Sequence, residues 1–255
     1  MVLERARHGR VEILTMNRPE ARNAMNPVLS RAIEAALDET EADRDIRAVV
    51  LTGAGPVFCA GADLKVVASG GGMDIETKKG GFGGITRREL VKPLIAAVNG
   101  PALAGGFELV LACDLVIAAD HATFGLPEAK RGLLAAAGGP FRLAQRVPLA
   151  TALEIVMTGD PITAERAHEL GLVNRVVPAA GVLDEAITLA ERILENSPTA
   201  VRLARRLVRE SLRLDEAAAW ELTYRLAGDA MASGDAIEGS TAFAEKRPPV
   251  WNDDV

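Results

Sequence analysis

Two glutamates stand out in the stretch LIAAVNGPALAGGFELVLACDLVIAADHATFGLPE, which runs from Leu94 to Glu128. Glu108 sits inside an otherwise uncharged run from Leu94 to Cys113, and Glu128 follows Pro127 at the end of a loop. A lone carboxylate in so apolar a setting costs several kcal/mol unless something uses it. Just before Glu108 stands the pair Gly105-Gly106. If a helix begins there, its first amides have no internal partner and its dipole is positive at that end, so free N–H groups face any anion above them. The small run Ala60-Gly61-Ala62 can bring a second N–H to the same point. Two convergent N–H groups form an oxyanion hole, in which one donor is worth about 2.7–4 kcal/mol of barrier. Two carboxylates in a low-dielectric cleft push one pKa upward, so that one is protonated while the other is ionised. Together these parts suit reactions through an enolate: addition or loss of water next to a thioester carbonyl, or proton shifts along its carbon chain. The same residues also have a plain structural reading, with Glu108 as a helix N-terminal acid, the glycines as a packing contact and Glu128 on a surface loop.

The elements that must carry these groups follow from periodicity and punctuation. Val11 to Met16 reads as a strand that ends at Asn17-Arg18-Pro19. Asn26-Pro27 offers an N-cap followed by Pro at the first helical position. Leu29, Ile33 and Leu37 then share one face of a helix reaching about Ala42. Ile46–Leu51, Leu94–Val98 and Leu115–Ala119 are apolar runs of the kind found in a mostly parallel sheet buried on both faces. The fold class is therefore α/β. Asp63 is placed to cap a following helix, and Thr163 another. From Ser69 to Gly84 seven glycines (70, 71, 72, 80, 81, 83 and 84) are mixed with charges, which predicts a mobile flap. A helix containing Arg142, Leu143 and Arg146 precedes Pro148; Thr151–Met157 is helical, and Leu172–Val177 is the last strand. Beyond it Leu183–Leu194, Pro198–Leu214 and Asp215–Met231 all have helical period. Leu203, Leu207 and Leu214 stripe one face. That stripe must bury on the chain's own core or on a neighbouring subunit, and the reading here favours the subunit.

Composition narrows the function. The 255-residue chain is 49% hydrophobic and 25% charged, with a net charge of −6, which argues against a general nucleic-acid binder. The one arginine-rich segment, Arg202, Arg205, Arg206, Arg209 and Arg213, reads as a solvated face or as subunit salt bridges. Two cysteines, Cys59 and Cys113, in small or apolar surroundings suit a reducing cytoplasm better than a disulfide scaffold. The start MVLERARHGR has no apolar signal region, and Asp114 and Asp120 interrupt the best candidate for a membrane span. His8, His121 and His168 are scattered without metal-ligand spacing, so no metal site is expected. Neither a phosphate-binding G-x-x-x-x-G-K-[ST] nor a G-x-G-x-x-G between strand and helix occurs. Ser30 and Ser69 lie in no nucleophile elbow.

Several ordered motifs carry a family likeness. They are Asn17-Arg18-Pro19 with Arg22-Asn23-Ala24-Met25, Phe58-Cys59-Ala60-Gly61-Ala62-Asp63-Leu64, Ala97-Val98-Asn99-Gly100 through Ala104-Gly105-Gly106-Phe107-Glu108, Cys113-Asp114, Phe124-Gly125-Leu126-Pro127-Glu128, and Ala242-Phe243-Ala244-Glu245-Lys246-Arg247. Over nearly its whole length the chain resembles the crotonase, or enoyl-CoA hydratase/isomerase, superfamily. The resemblance implies a spiral of repeated ββα units over residues 1–195 and a helical trimerisation region over 196–255, with a homotrimer or a hexamer as the assembly. It implies an oxyanion hole made by the amides of Ala62 and Gly105, and an acyl-CoA substrate lined by Arg22, Ala24, Ala60, Asp63 and Leu64. Phe243 would touch the adenine of a neighbouring subunit's CoA. By the same likeness Glu128 exchanges the proton at the α-carbon and Glu108 helps to activate water. The implied reaction is the reversible syn addition of water to a 2-enoyl-CoA thioester in fatty-acid or related degradation, with no cofactor beyond the substrate's own coenzyme A. The ending from Gly234 to Trp251 also resembles carnitinyl-CoA dehydratases, and an enoyl-CoA isomerase is a further alternative on this scaffold. Where hydratases often carry Pro-Gly-Ala-Gly-Gly, this chain has Ala135-Ala136-Ala137-Gly138-Gly139, in which a backbone N–H is expected to hold the water.

Overall fold

The computed structural model describes residues 1–252. These fall into two compact units, residues 1–90 with 94–190 and residues 91–93 with the chain from Glu191 onward. The first unit holds β1 (Leu3–His8), β2 (Val11–Met16), α1 (Pro27–Ala42), β3 (Ala48–Gly53), α2 (Leu64–Ala68), β4 (Glu76–Thr77), β5 (Gly81–Phe82), β6 (Leu94–Val98) and β7 (Ala102–Leu103). It continues with α3 (Gly105–Ala112), β8 (Leu115–Ala119), β9 (Thr123–Gly125), α4 (Gly139–Ala144), α5 (Leu149–Thr158), β10 (Ile162–Thr163), α6 (Ala164–Glu169) and β11 (Arg175–Val177). Helix α7 (Val182–Leu194) spans the boundary, and α8 (Pro198–Ser211), α9 (Glu216–Ala232) and α10 (Asp235–Glu245) belong to the second unit.

The main sheet runs in the order β1-β2-β3-β6-β8-β11, antiparallel only between β1 and β2. Every residue of β3 and β6 is buried, which is why those strands read as continuous apolar runs instead of alternating ones. Helix α1 starts as its sequence dictates: Asn26 accepts the Leu29 amide and Pro27 occupies the first turn. Strand β1 was not expected. Its single buried residue, Leu3, gives an edge strand no periodic signal.

A small second sheet, β10-β9-β7, positions the site. Strand β7 lies parallel to β9 with Leu103 opposite Gly125, and an isolated parallel bridge joins Cys59 to Ala102. Three chain segments therefore leave this sheet in one direction, at residues 60–62, 104–106 and 126–128. No local feature of the sequence announces two- and three-residue strands, so this convergence is a tertiary event.

The glycine-rich segment is not a flap over its second half. Ile75 and Thr77 are buried, and so is the whole run Gly80–Thr86. A Cβ on Gly84 would fall 2.8 Å from the Glu34 nitrogen and from the Ser30 carbonyl oxygen, both on α1. The glycines there permit close backbone approach, whereas composition alone suggested freedom. In the second unit α9 packs on both α8 and α10.

Candidate active site

Helix α3 begins at Gly105, and the reason lies in the residue before it. Ala104 has φ 53° and ψ −131°, a conformation that costs a non-glycine residue about 1–3 kcal/mol. Its N–H donates to the Gly125 carbonyl and its own carbonyl accepts from Phe107 and Glu108, so the Ala104 turn is held from both sides. The amide of Gly105 then opens the helix with no acceptor among the described residues. Close approach requires glycine here. A Cβ on Gly106 would fall 2.0 Å from the Cys59 carbonyl oxygen, and one on Gly105 would fall 2.4 Å from the ring of Phe82.

The turn at Ala62 is aimed by a parallel bridge to Met25. The Met25 N–H donates to the Gly61 carbonyl and the Asp63 N–H donates to the Met25 carbonyl, which turns the Ala62 amide away from that neighbour. A Cβ on Gly61 would fall 3.0 Å from the Gly105 nitrogen, so the two turns are in contact. The residue before Ala62 thus packs on Gly105, and neither the Ala62 nor the Gly105 amide is engaged among the described residues.

Two further predicted groups are gathered by the same contact. The Ala60 N–H donates to the Arg22 carbonyl, and Ala24 is buried beside it. Asn23 is fully buried and donates to the carbonyls of Ala54 and Val57, fastening this turn to the loop before Cys59. Arg18 donates to the Ala24 carbonyl and pairs with Asp63 at 3.0 Å. Burial pushes the Asp63 carboxyl upward, but Arg18 and the Lys65 amide more than reverse this, so it lies below the usual range. Asp63 also caps α2, and Leu64 is exposed. Phe243, by contrast, lies on α10 in the second unit, 87% exposed, and is not among the residues that the first unit gathers.

Glu108 is 3% exposed. Its Oε1 accepts two backbone amides, Ala137 at 2.8 Å and Gly139 at 2.7 Å. The segment expected to hold a water thus holds the carboxylate itself. A Cβ on Gly139 would meet the Glu108 Cγ at 2.9 Å, so only glycine lets the loop come this close. Burial raises the Glu108 pKa above the ordinary carboxylate value, against the opposing pull of the Gly139 and Ala137 amides and of Arg142. Glu128 is half-buried on the 3-10 turn Pro127–Arg131, and its Oε2 is buried without a hydrogen-bond partner among the described residues. Burial, with a smaller contribution from the charge of Glu108, pushes Glu128 up to about 7, against the opposing pull of its own backbone N–H and of Arg131. The result is one carboxylate fixed by two amides and a second, near neutrality, with a free oxygen. Such a pair is built to move protons.

Sequence reasoning missed two contributors, Phe82 against Gly105 and Arg142 behind the loop, and it gave the amides of the Ala135–Gly139 segment a water where they hold Glu108. The pair Gly138-Gly139 was the one available signal, since adjacent glycines after a small-residue run mark close approach. Cys59 and Cys113 are buried and joined in no disulfide, and burial pushes the Cys59 thiol to about 12. Among the described residues no group of three or more His, Cys, Asp or Glu is arranged to hold a metal ion, and no helix is long and apolar enough to cross a membrane.

The model of the enoyl-CoA hydratase/isomerase family matches residues 6–254. The chain belongs to this family. It is 41% identical over 249 residues to the enoyl-CoA hydratase EchA19 of Mycobacterium tuberculosis, covering 95% of this chain and 93% of that protein. It is 41% identical over 255 residues to the carnitinyl-CoA dehydratase of Salmonella arizonae, covering 98% and 97%. The crystal structure of an enoyl-CoA hydratase from Mycobacterium tuberculosis H37Rv superposes with a TM-score of 0.94 at 44% identity, covering 99% of each chain. As in these family members, an α/β core with a helical C-terminal region forms a crotonase fold.

Proposed function

We propose that this protein is an enoyl-CoA hydratase that adds water reversibly to the double bond of a 2-enoyl-CoA. The observation that carries the reading is the asymmetric carboxylate pair: Glu108 held by two amides, and Glu128 raised to about 7 with its Oε2 buried and unpartnered. The thioester oxygen sits between the amides of Ala62 and Gly105. Water lies between the glutamates, and its oxygen bonds to the β-carbon as the π electrons move toward the thioester, forming an enolate that the two N–H groups stabilise. One carboxylate takes the proton released by the water, and Glu128 delivers a proton to the α-carbon, so the sum is one water added. Both groups act from one side, which makes the addition syn. Arg22, Ala24, Ala60, Asp63 and Leu64 bind the CoA portion, and no group beyond the substrate is needed. Exposed apolar side chains of the second unit, among them Val208, Leu212, Tyr224 and Ile237, support a homotrimer or hexamer in which Phe243 serves a neighbour's site. A cytoplasmic enzyme of acyl-CoA degradation fits this reading.

A carnitinyl-CoA dehydratase is the second reading, favoured by the Salmonella arizonae relative. A quaternary ammonium needs an open aromatic face. The Phe141 ring carries the Arg142 guanidinium at 5.0 Å and is otherwise exposed, so the choice of substrate decides between the two readings. The test offers crotonyl-CoA, a 3-enoyl-CoA, and an enoyl-CoA bearing a quaternary ammonium, and follows the conjugated thioester absorbance, which hydration removes and isomerisation of the 3-enoyl-CoA creates, with oxygen uptake from labelled water. Glu108→Gln and Glu128→Gln should each abolish hydration of crotonyl-CoA. Unchanged turnover in both variants would sink the mechanism, and conversion of the 3-enoyl-CoA without label uptake would make the protein an isomerase.

A further inference from the structure

We propose that Arg142 is a positioning residue for this site, a single guanidinium that holds the carboxylate side and the oxyanion side in register. The inference rests on the roles given above to Glu108 and Gly105. Arg142 lies on α4, and its Nη1 donates to the Ala137 carbonyl at 3.1 Å. The same residue, Ala137, donates its N–H to Glu108 Oε1. One loop residue is therefore fixed at its carbonyl by the arginine while its amide fixes the glutamate. The other arm, Nη2, donates to the Thr86 carbonyl at 2.5 Å. Thr86 in turn donates its N–H to the carbonyl of Phe82, whose ring lies against Gly105. Arg142 thus spans from the loop that holds Glu108 to the buried segment that walls the first amide of α3.

Two local features suit this use. Gly138 has φ 99°, and a Cβ there would fall 2.1 Å from Nη1, so glycine leaves the guanidinium its path. The Phe141 ring centroid lies 5.0 Å from the guanidinium carbon, within cation–π range. A planar fork that serves two carbonyls in different directions is something a lysine cannot reproduce.

The charge has a second effect. The charged groups that act on the carboxylate pair are Arg142 from α4 on Glu108 and Arg131 from the turn after β9 on Glu128. The segment from Gly80 to Thr86 and strands β7 and β9 bring no charge. Arg142 is the cation that acts on Glu108 itself.

The experiment measures kcat and KM for crotonyl-CoA from pH 5 to 9 in Arg142→Gln and Arg142→Lys, with thermal midpoints alongside. For Arg142→Gln, kcat falls about tenfold or more because two charge-assisted hydrogen bonds are lost. Its KM stays within about threefold, since the arginine does not touch substrate, and the acid limb of the kcat profile moves to higher pH. Arg142→Lys returns the limb toward wild type but leaves kcat depressed. An unmoved acid limb in Arg142→Gln, or a kcat within twofold of wild type, overturns the proposal. If the glutamine variant does not fold, the lysine variant decides: full wild-type kcat in it overturns the positioning role. Glu108→Gln is measured in parallel. Activity retained there defeats the functional reading, whereas an inactive Glu108→Gln beside a wild-type-like Arg142→Gln defeats this inference alone.

Discussion

Replacing Glu128 by Gln should make the protein inactive and, at alkaline pH, more stable relative to wild type than at acid pH. Its carboxyl rises from an ordinary 4.5 to about 7 in the folded protein, chiefly because burial disfavours the charged form. A group whose folded pKa lies above its unfolded value contributes stability at pH below the unfolded value and loses it as pH rises through the folded one. Between pH 5 and pH 8.5 the limit without screening is about 2.5 kcal/mol, at 1.36 kcal/mol per factor of ten. Glu128 is only half-buried, and solvent screening reduces this to about 1–1.5 kcal/mol. Urea denaturation of both proteins at the two pH values reads the quantity directly. The amide of the glutamine carries its own packing cost, but that cost is equal at both pH values and cancels in the difference. The stability gap should therefore shift by about 1–1.5 kcal/mol in favour of the variant on going to pH 8.5. A gap that stays within about 0.3 kcal/mol, or that moves the other way, would refute a strained carboxylate at this position.

Other substitutions probe the frame around it. Gly139→Ala places a methyl 2.9 Å from the Glu108 Cγ and displaces an amide from Oε1. Loss of one hydrogen bond to a charged group, about 1.5–3 kcal/mol, should lower kcat about 10- to 150-fold with little change in KM, as steady-state kinetics will read. Gly106→Ala drives a Cβ to 2.0 Å from the Cys59 carbonyl, so a fall in thermal midpoint of at least about 5 °C is expected in calorimetry. Cys59, buried with its thiol near 12, should resist a thiol reagent at pH 8 in the folded protein and react only in denaturant.

The sequence by itself determined the class and much of the element list. Asn26-Pro27 set the start of α1, continuous apolar runs marked β6 and β8, and Gly105-Gly106 marked the opening of α3, because caps, turns and burial period act over a few residues. Its motifs also carried the family. Glu108 was visible as a candidate because a carboxylate in an apolar run is costly unless something uses it, and Glu128 because it closes the same stretch within reach of it. Tertiary structure alone decided how they differ. Whether an amide meets Glu108 depends on where the loop from Ala137 to Gly139 comes to rest, and that depends on Arg142 reaching carbonyls 5 and 56 residues away. The segment from Gly80 to Thr86 shows the same limit: its glycines read as freedom, yet Gly84 is where α1 closes on the backbone and Gly83 is where Leu109 does. The parallel pairing of β7 with β9, which delivers Gly105 and Glu128 to one edge, spans two residue pairs and leaves no periodic trace. Local chemistry fixes which groups are available, and long-range packing fixes which of them meet.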